Sequence, residues 1–148
     1  MKPIPSINDL TRPYWDAARD GRLVLQRCAG CQATIFYPRP WCPHCWSREL
    51  AWCQASGRGQ VETFTVVHHP PSPAFAGEIP YVLAIIQLLE GPRMMANLLS
   101  IDPGEVRVGL PVQVIFETRG EWKIPQFEPD TGNHLDNHTP SHTRSHER

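Results

Sequence analysis

No apolar run in this chain reaches the roughly 20 residues that a helix needs to cross a bilayer. The longest, Tyr81–Leu89, is interrupted by Gln87. The opening Met1-Lys2-Pro3-Ile4-Pro5 lacks the apolar core of a secretory signal, so a cytoplasmic setting is expected and a membrane partner is not. The Ser-elbow, phosphate-loop and H-E-x-x-H signatures are all missing, which removes the commonest hydrolase, phosphoryl-transfer and metalloprotease readings. Lysine is scarce, at two residues, and no strand carries the lysine-rich face of a typical nucleic-acid binder. What remains is ordinary globular material: 41% apolar and 20% charged residues over 148 positions, enough for one modest core.

Cysteine is not scarce, and it is patterned. Cys28-Ala29-Gly30-Cys31 and Cys42-Pro43-His44-Cys45 are two C-x-x-C pairs separated by ten residues. Each pair can form a knuckle in which two sulfurs point at one cation. Two knuckles complete a tetrahedral four-sulfur shell, which suits a structural Zn²⁺ with no open coordination position. Fe²⁺/Fe³⁺ in the same shell, as in a redox protein, is the less favoured alternative. The fifth cysteine, Cys53, makes the count odd, and in a reducing compartment metal is favoured over disulfides. Cys53 itself follows Trp52 without a marked base partner and reads as a small apolar residue or a spare thiol.

The chain around the knuckles is predicted to be mainly β. Residues Ser6 to Asp20 read as a short helix with Thr11 at its N-cap, Pro13 in its first turn and Gly21 just past its end. Its stripe of Tyr14, Trp15 and Ala18 must dock, on its own domain or on a partner subunit. Arg22–Arg27, Thr34–Tyr37 and Leu50–Gln54 read as strands that alternate with the knuckles, the layout of a zinc ribbon. Trp41, Trp46 and Trp52 are expected to cover the metal, since so small a module has no other core. From Ser56 onward turn signals separate Val61–His68, Pro80–Leu89, Arg93–Leu99 and Val112–Phe116, which suits a small Greek-key barrel of the OB type. The expected boundaries are a helical segment over 1–21, a zinc ribbon over 22–55, an OB-fold domain over 56–130 and a disordered tail over 131–148. In that tail His134, His138, His142 and His146 recur every four residues, but Pro140 and the polar background argue against a helix.

Charge divides the molecule. Arg22, Arg27, Arg39, Arg48 and Arg58 face Glu49 alone between positions 22 and 58, a balance of +4. Residues 59–130 carry nine acids and four bases, a balance of −5. The arginines either compensate the −2 of a Zn²⁺ held by four thiolates or meet an anionic partner, for which their planar forks are well suited.

Tyr14-Trp15, Gly21 through Cys28, Phe36-Tyr37-Pro38-Arg39 and Cys42-Pro43-His44-Cys45 together resemble the DUF35 family. The similarity continues through Gly57-Arg58-Gly59-Gln60-Val61, Phe64 to His68, Pro80-Tyr81-Val82, Ala96-Asn97-Leu98, Val108 to Val112 and Pro125 to Pro129, covering roughly residues 9 to 129. It implies an N-terminal helical segment, a rubredoxin-like zinc ribbon and a C-terminal OB-fold. It also implies an accessory role beside acyl-CoA enzymes. The partners would be thiolase-like condensing enzymes, thiolase-fold aldolases or MaoC-like hydratases, with this chain bridging subunits or helping to hold the CoA thioester. On that resemblance the anion-binding candidates are Arg39, Arg58 and Arg27, with Phe36 and Tyr37 beside them.

His68 and His69 end a strand beside the proline-rich loop His69–Phe75. They are candidate loop residues, although no carboxylate or nucleophile is tied to them by spacing and surface histidines are the favoured reading. No catalytic residue is assigned. The expected role is a non-catalytic zinc-ribbon/OB-fold subunit in a hetero-oligomer. A single-stranded nucleic-acid module is the main alternative, and it is opposed by the acidic barrel.

Overall fold

The computed structural model describes residues 1–132. The expectations for His134, His138, His142 and His146 lie outside them. Helix α1 spans Arg12–Arg19, shorter than expected because Ser6–Leu10 leads in without helical structure. Thr11 takes the N-cap position, but its side chain bonds to Asn8 instead of to the helix. The end of α1 follows from Gly21, whose φ of +79° is free for glycine. There the Gly21 N–H bonds Ala18 O at 3.0 Å and the Arg22 N–H bonds Ala17 O at 2.8 Å, the paired bonds of a Schellman stop. Tyr14, Trp15, Ala17 and Ala18 are all buried, so the helix docks on its own chain. An eight-residue helix would not persist without that packing.

Strands β1 (Val24–Cys28), β2 (Thr34–Ile35) and β3 (Leu50–Gln54) form an antiparallel sheet in the order β2-β1-β3. The second strand stops at Ile35, two residues before the β-branched and aromatic pattern suggested. The barrel consists of β4 (Arg58–Val67), β5 (Tyr81–Leu88), β6 (Arg93–Leu98), β7 (Pro111–Arg119) and β8 (Trp122–Pro129). It closes in the order β4-β5-β6-β8-β7, with β4 paired back to β7 and β6 running parallel to β8. This is the connectivity of a five-stranded OB barrel. Strand β4 is long enough to serve two neighbours because it bends at a bulge at Glu62. Gly59 permits the approach of β5, since a Cβ there would lie 2.5 Å from Gln87 O.

The fifth strand, β8, was not expected. Pro125 and Pro129 break the sequence pattern, yet they pair with Phe116 and Val112 at positions where the missing N–H is tolerated. Phe127 on this strand is fully buried and its carbonyl accepts from Leu99 N–H at 2.7 Å, which closes the barrel.

One continuous apolar core runs from α1 through Leu23, Val24 and Leu25 into the barrel. The metal end of the ribbon has a separate core of Cys28, Ile35 and Cys42, with Leu50 packed against it. The expected tryptophan cover is a misassignment: Trp41, Trp46 and Trp52 are exposed, and the core at the metal end is made without them by Cys28, Ile35, Cys42 and Leu50.

The N-terminal arm is clasped to the barrel. Lys2 pairs with Glu78 and, at 2.5 Å, with Glu117, while Arg119 donates to Pro3 O at 3.3 Å. Burial opposes ionisation of Glu117, but hydrogen bonds from Lys2, Arg119 and Gln126 outweigh it and bring its pKa down to about 2. A depressed carboxyl stabilises the fold above its unfolded value, near 4.3, and that contribution is lost as pH falls toward 2. Glu117→Gln is therefore expected to remove about 1–2 kcal/mol at pH 7 and to flatten the acid limb of a stability–pH curve. An unchanged limb would show the clasp to be idle.

Candidate metal centre and flanking clefts

The two knuckles are built alike. In the first, the Cys28 N–H bonds Ala33 O at 2.9 Å and the Gln32 N–H bonds Cys28 O at 2.9 Å. In the second, the Cys42 N–H bonds Ser47 O at 2.8 Å and the Trp46 N–H bonds Cys42 O at 2.9 Å. Both require left-handed backbone at the residue after the second cysteine, with φ of +64° at Gln32 and +63° at Trp46. Four sulfurs result, all within 4.8 Å of one another. Cys28 to Cys45 is 3.5 Å and Cys31 to Cys42 is 3.6 Å. A tetrahedral ion with metal–sulfur bonds of about 2.3 Å sets its sulfurs about 3.8 Å apart, so the donor set fits. Cys28 and Cys42 are buried and Cys31 and Cys45 lie on the outside.

The thiols cannot ionise independently at this spacing. Cys28 is brought down to about 7, first by the Cys31 backbone N–H and then, against burial, by the Cys45 thiol and the Gly30 N–H. The Ser47 N–H supports Cys45 as a thiolate, yet the neighbouring Cys28 sulfur and burial push it up to about 12. A divalent cation among the sulfurs reverses that penalty and keeps all four as thiolates. Four sulfurs around one tetrahedral ion would leave no position for water or substrate.

The other candidates fall into separate places. Arg39 and Phe36 line a cleft of about 510 Å³ between ribbon and barrel, together with His44, Arg93 and Glu90. Arg58 lines a different cleft of about 470 Å³ with Gln60, Leu89 and Pro111, and its Nε lies 3.8 Å from Asp130. Gln87 borders both clefts. Arg27 is exposed on β1 and lines neither. Tyr37 lies edge-on to Tyr14 and Phe36, at 5.7 and 5.5 Å between ring centroids. His68 and His69 are exposed at the end of β4, with no carboxylate bonded to either among the described residues. Cys53 is partly buried and its thiol faces Leu25 O at 3.5 Å, in line with a packing role.

The sequence reading missed Gln26. This buried amide accepts from the Arg39 N–H at 2.8 Å and donates to Arg39 O at 3.1 Å, so it grips both backbone groups of one residue. With prolines on either side, Arg39 is held rigidly while its guanidinium stays exposed and has no carboxylate partner among the described residues. The one available signal was a polar residue directly after the apolar run Leu23–Leu25 and two residues before the metal ligand Cys28.

Residues 15–51 match the model of the ChsH2 rubredoxin-like zinc ribbon domain, and residues 52–117 match that of the ChsH2 C-terminal OB-fold domain. A probable enoyl-CoA hydratase alpha subunit of Thermomonospora curvata is 42% identical over 130 residues, covering 87% of this chain and 40% of that protein. The chain thus spans under half the length of that relative. A DUF35 domain-containing scaffold protein of Pyrococcus furiosus is 40% identical over 118 residues, covering 79% of this chain and 82% of that one. A solved structure described as the Ltp2-ChsH2(DUF35) aldolase contains a chain that superposes with a TM-score of 0.76 at 42% identity, covering 85% of this chain and 98% of that one.

Proposed function

The chain belongs to the DUF35 family, and on that premise we propose that it is a non-catalytic accessory subunit of an acyl-CoA-processing enzyme. Its partner in this reading is a thiolase-like, aldolase or hydratase subunit. The observation that carries the proposal is the likeness, at 42% identity and nearly full coverage, to a chain solved in an aldolase assembly. The closed sulfur shell and the scattered histidines agree with it, since neither offers a reacting group. The expected cytoplasmic setting is also where these thiolates would stay reduced.

We assign zinc to the four-cysteine site, for which the closed tetrahedral sulfur shell is suited. Bound there, the metal supplies a fixed cross-link and no reactive position. A metal assay with no visible thiolate-to-iron absorption is the expected result, and a coloured protein would reverse the assignment.

Co-expression with a thiolase-fold aldolase subunit and, separately, with a MaoC-like hydratase subunit tests the role. Stable co-elution with one of them is expected. Failure to associate with either would overturn the reading.

Within such a complex, the phosphate-bearing end of CoA is the proposed ligand of the ribbon–barrel cleft, with Arg39 as its fixed cation. Arg39→Ala should weaken CoA-thioester binding about tenfold, in keeping with loss of one charge-assisted contact, and leave the thermal midpoint unchanged. Arg58→Ala should have a smaller effect, because Asp130 already shares its charge. Parallel losses of affinity and melting temperature would make both arginines structural.

A further inference from the structure

We propose that the stacked pair Trp41 and Trp46 is the anchor by which the ribbon grips the partner enzyme subunit, seated in an apolar pocket with an acidic rim. This rests on the accessory-subunit reading and adds the surface that reading leaves open. The rings are 41% and 72% exposed, their centroids are 6.3 Å apart and their planes are inclined by 22°. Neither belongs to the core at the metal end, which is made by Cys28, Ile35, Cys42 and Leu50. Folding therefore gains little from them.

Trp46 also stands where the fold would prefer another residue. The knuckle demands left-handed backbone there, as it does at Gln32, and glycine meets that demand without strain. A bulky aromatic side chain in this conformation is an outlier, and such outliers gather at functional positions. The same knuckle holds the backbone beneath the pair. The Trp46 backbone N–H donates to Cys42 O, and Trp41 directly precedes the buried Cys42. Two large rings stacked on each other over a fixed backbone have less freedom to lose on binding, which is the property of an interface hot spot.

The charge of the ribbon selects the partner's chemistry. In the barrel domain Arg58, Arg93 and Arg119 each have a carboxylate within 3.8 Å, and Arg107 has none among the described residues. Arg27 and Arg48 on the ribbon have none among the described residues, and Glu49 is the only acid between positions 22 and 58. Tryptophan and arginine together are the residues most enriched in protein–protein hot spots, and the unpaired arginines call for an acidic rim opposite them.

The test uses the co-purified complex. The double variant Trp41→Ala/Trp46→Ala should weaken association by about 30-fold or more, the scale of a hot spot, with metal content and thermal midpoint unchanged. Trp46→Gly should weaken association while holding or raising the midpoint. Raising salt should slow association of the wild-type chain. Unchanged affinity of the double variant overturns the inference and leaves the accessory role standing, and so does a fall in midpoint matching the fall in affinity. Oligo-dT binding that depends on the two rings would assign the platform to single-stranded nucleic acid instead. A wild-type chain that binds neither subunit overturns the accessory reading and this inference with it.

Discussion

Serine in place of Cys42 should release the metal and unfold the ribbon's outer end while the barrel stays folded. The reason is the division of the core. Leu23, Val24 and Leu25 share the main core with the barrel, whereas the knuckle end relies on Cys28, Ile35, Cys42 and Leu50. Burying a few such side chains contributes about 1.5–3 kcal/mol each at most, and two of them are the metal's own ligands. Structural zinc binding in small modules is worth about 10–16 kcal/mol, so losing it outweighs everything else at that end. Cys42 is fully buried, and its backbone holds Ser47 and Trp46 in the second knuckle. The metal-to-protein ratio should fall, and amide protection should vanish around Thr34–Ile35 and Cys42–Ser47 but persist in β5 and β6. A strong chelator should reproduce this in the unaltered chain. A variant that keeps both metal and protection would mean that three sulfurs suffice.

Methionine in place of Gln26 is expected to cost about 2–4 kcal/mol, because it matches the length of the side chain and removes both hydrogen bonds to Arg39. Each backbone group left unpartnered in a buried setting costs about 1–3 kcal/mol. The loss should appear in the urea midpoint of the isolated chain. In the complex, CoA-thioester affinity should fall as well, but no further than for Arg39→Ala, since Gln26 acts only by holding Arg39 in place. Stability lost with affinity intact would show that Arg39 finds its position without the clamp. Affinity lost beyond that of Arg39→Ala would give Gln26 a contact of its own.

These two residues mark the reach of the sequence. Cys28, Cys31, Cys42 and Cys45 were legible because a knuckle is local: four residues, two sulfurs and a turn are written in one stretch. Gly21 was legible for the same reason, since a helix stop needs only its own backbone. The Gln26 clamp was not, because its two bonds reach 13 residues along the chain to a segment whose position depends on the metal. Likewise the Lys2–Glu117 clasp joins residues 115 apart. Strand β8 was hidden by Pro125 and Pro129, whose tolerance depends on whether the neighbouring strand presents a carbonyl that needs their missing N–H and not on local pattern. The tryptophans were misread because aromatic content alone does not say whether a ring faces a metal or solvent. Arg39 and Arg58 looked like one basic cluster in sequence, and the sheet order sends them to separate clefts.

The central claim is that the metal holds surfaces in place and that the chemistry belongs to a partner. It is tested most directly by measuring turnover of an acyl-CoA substrate with the chain alone, with the co-purifying subunit alone and with the two combined. No turnover is expected from the chain alone, and the pair should turn over well above the rate of the partner alone. Turnover by the isolated chain, or a partner whose rate is indifferent to it, would contradict the account.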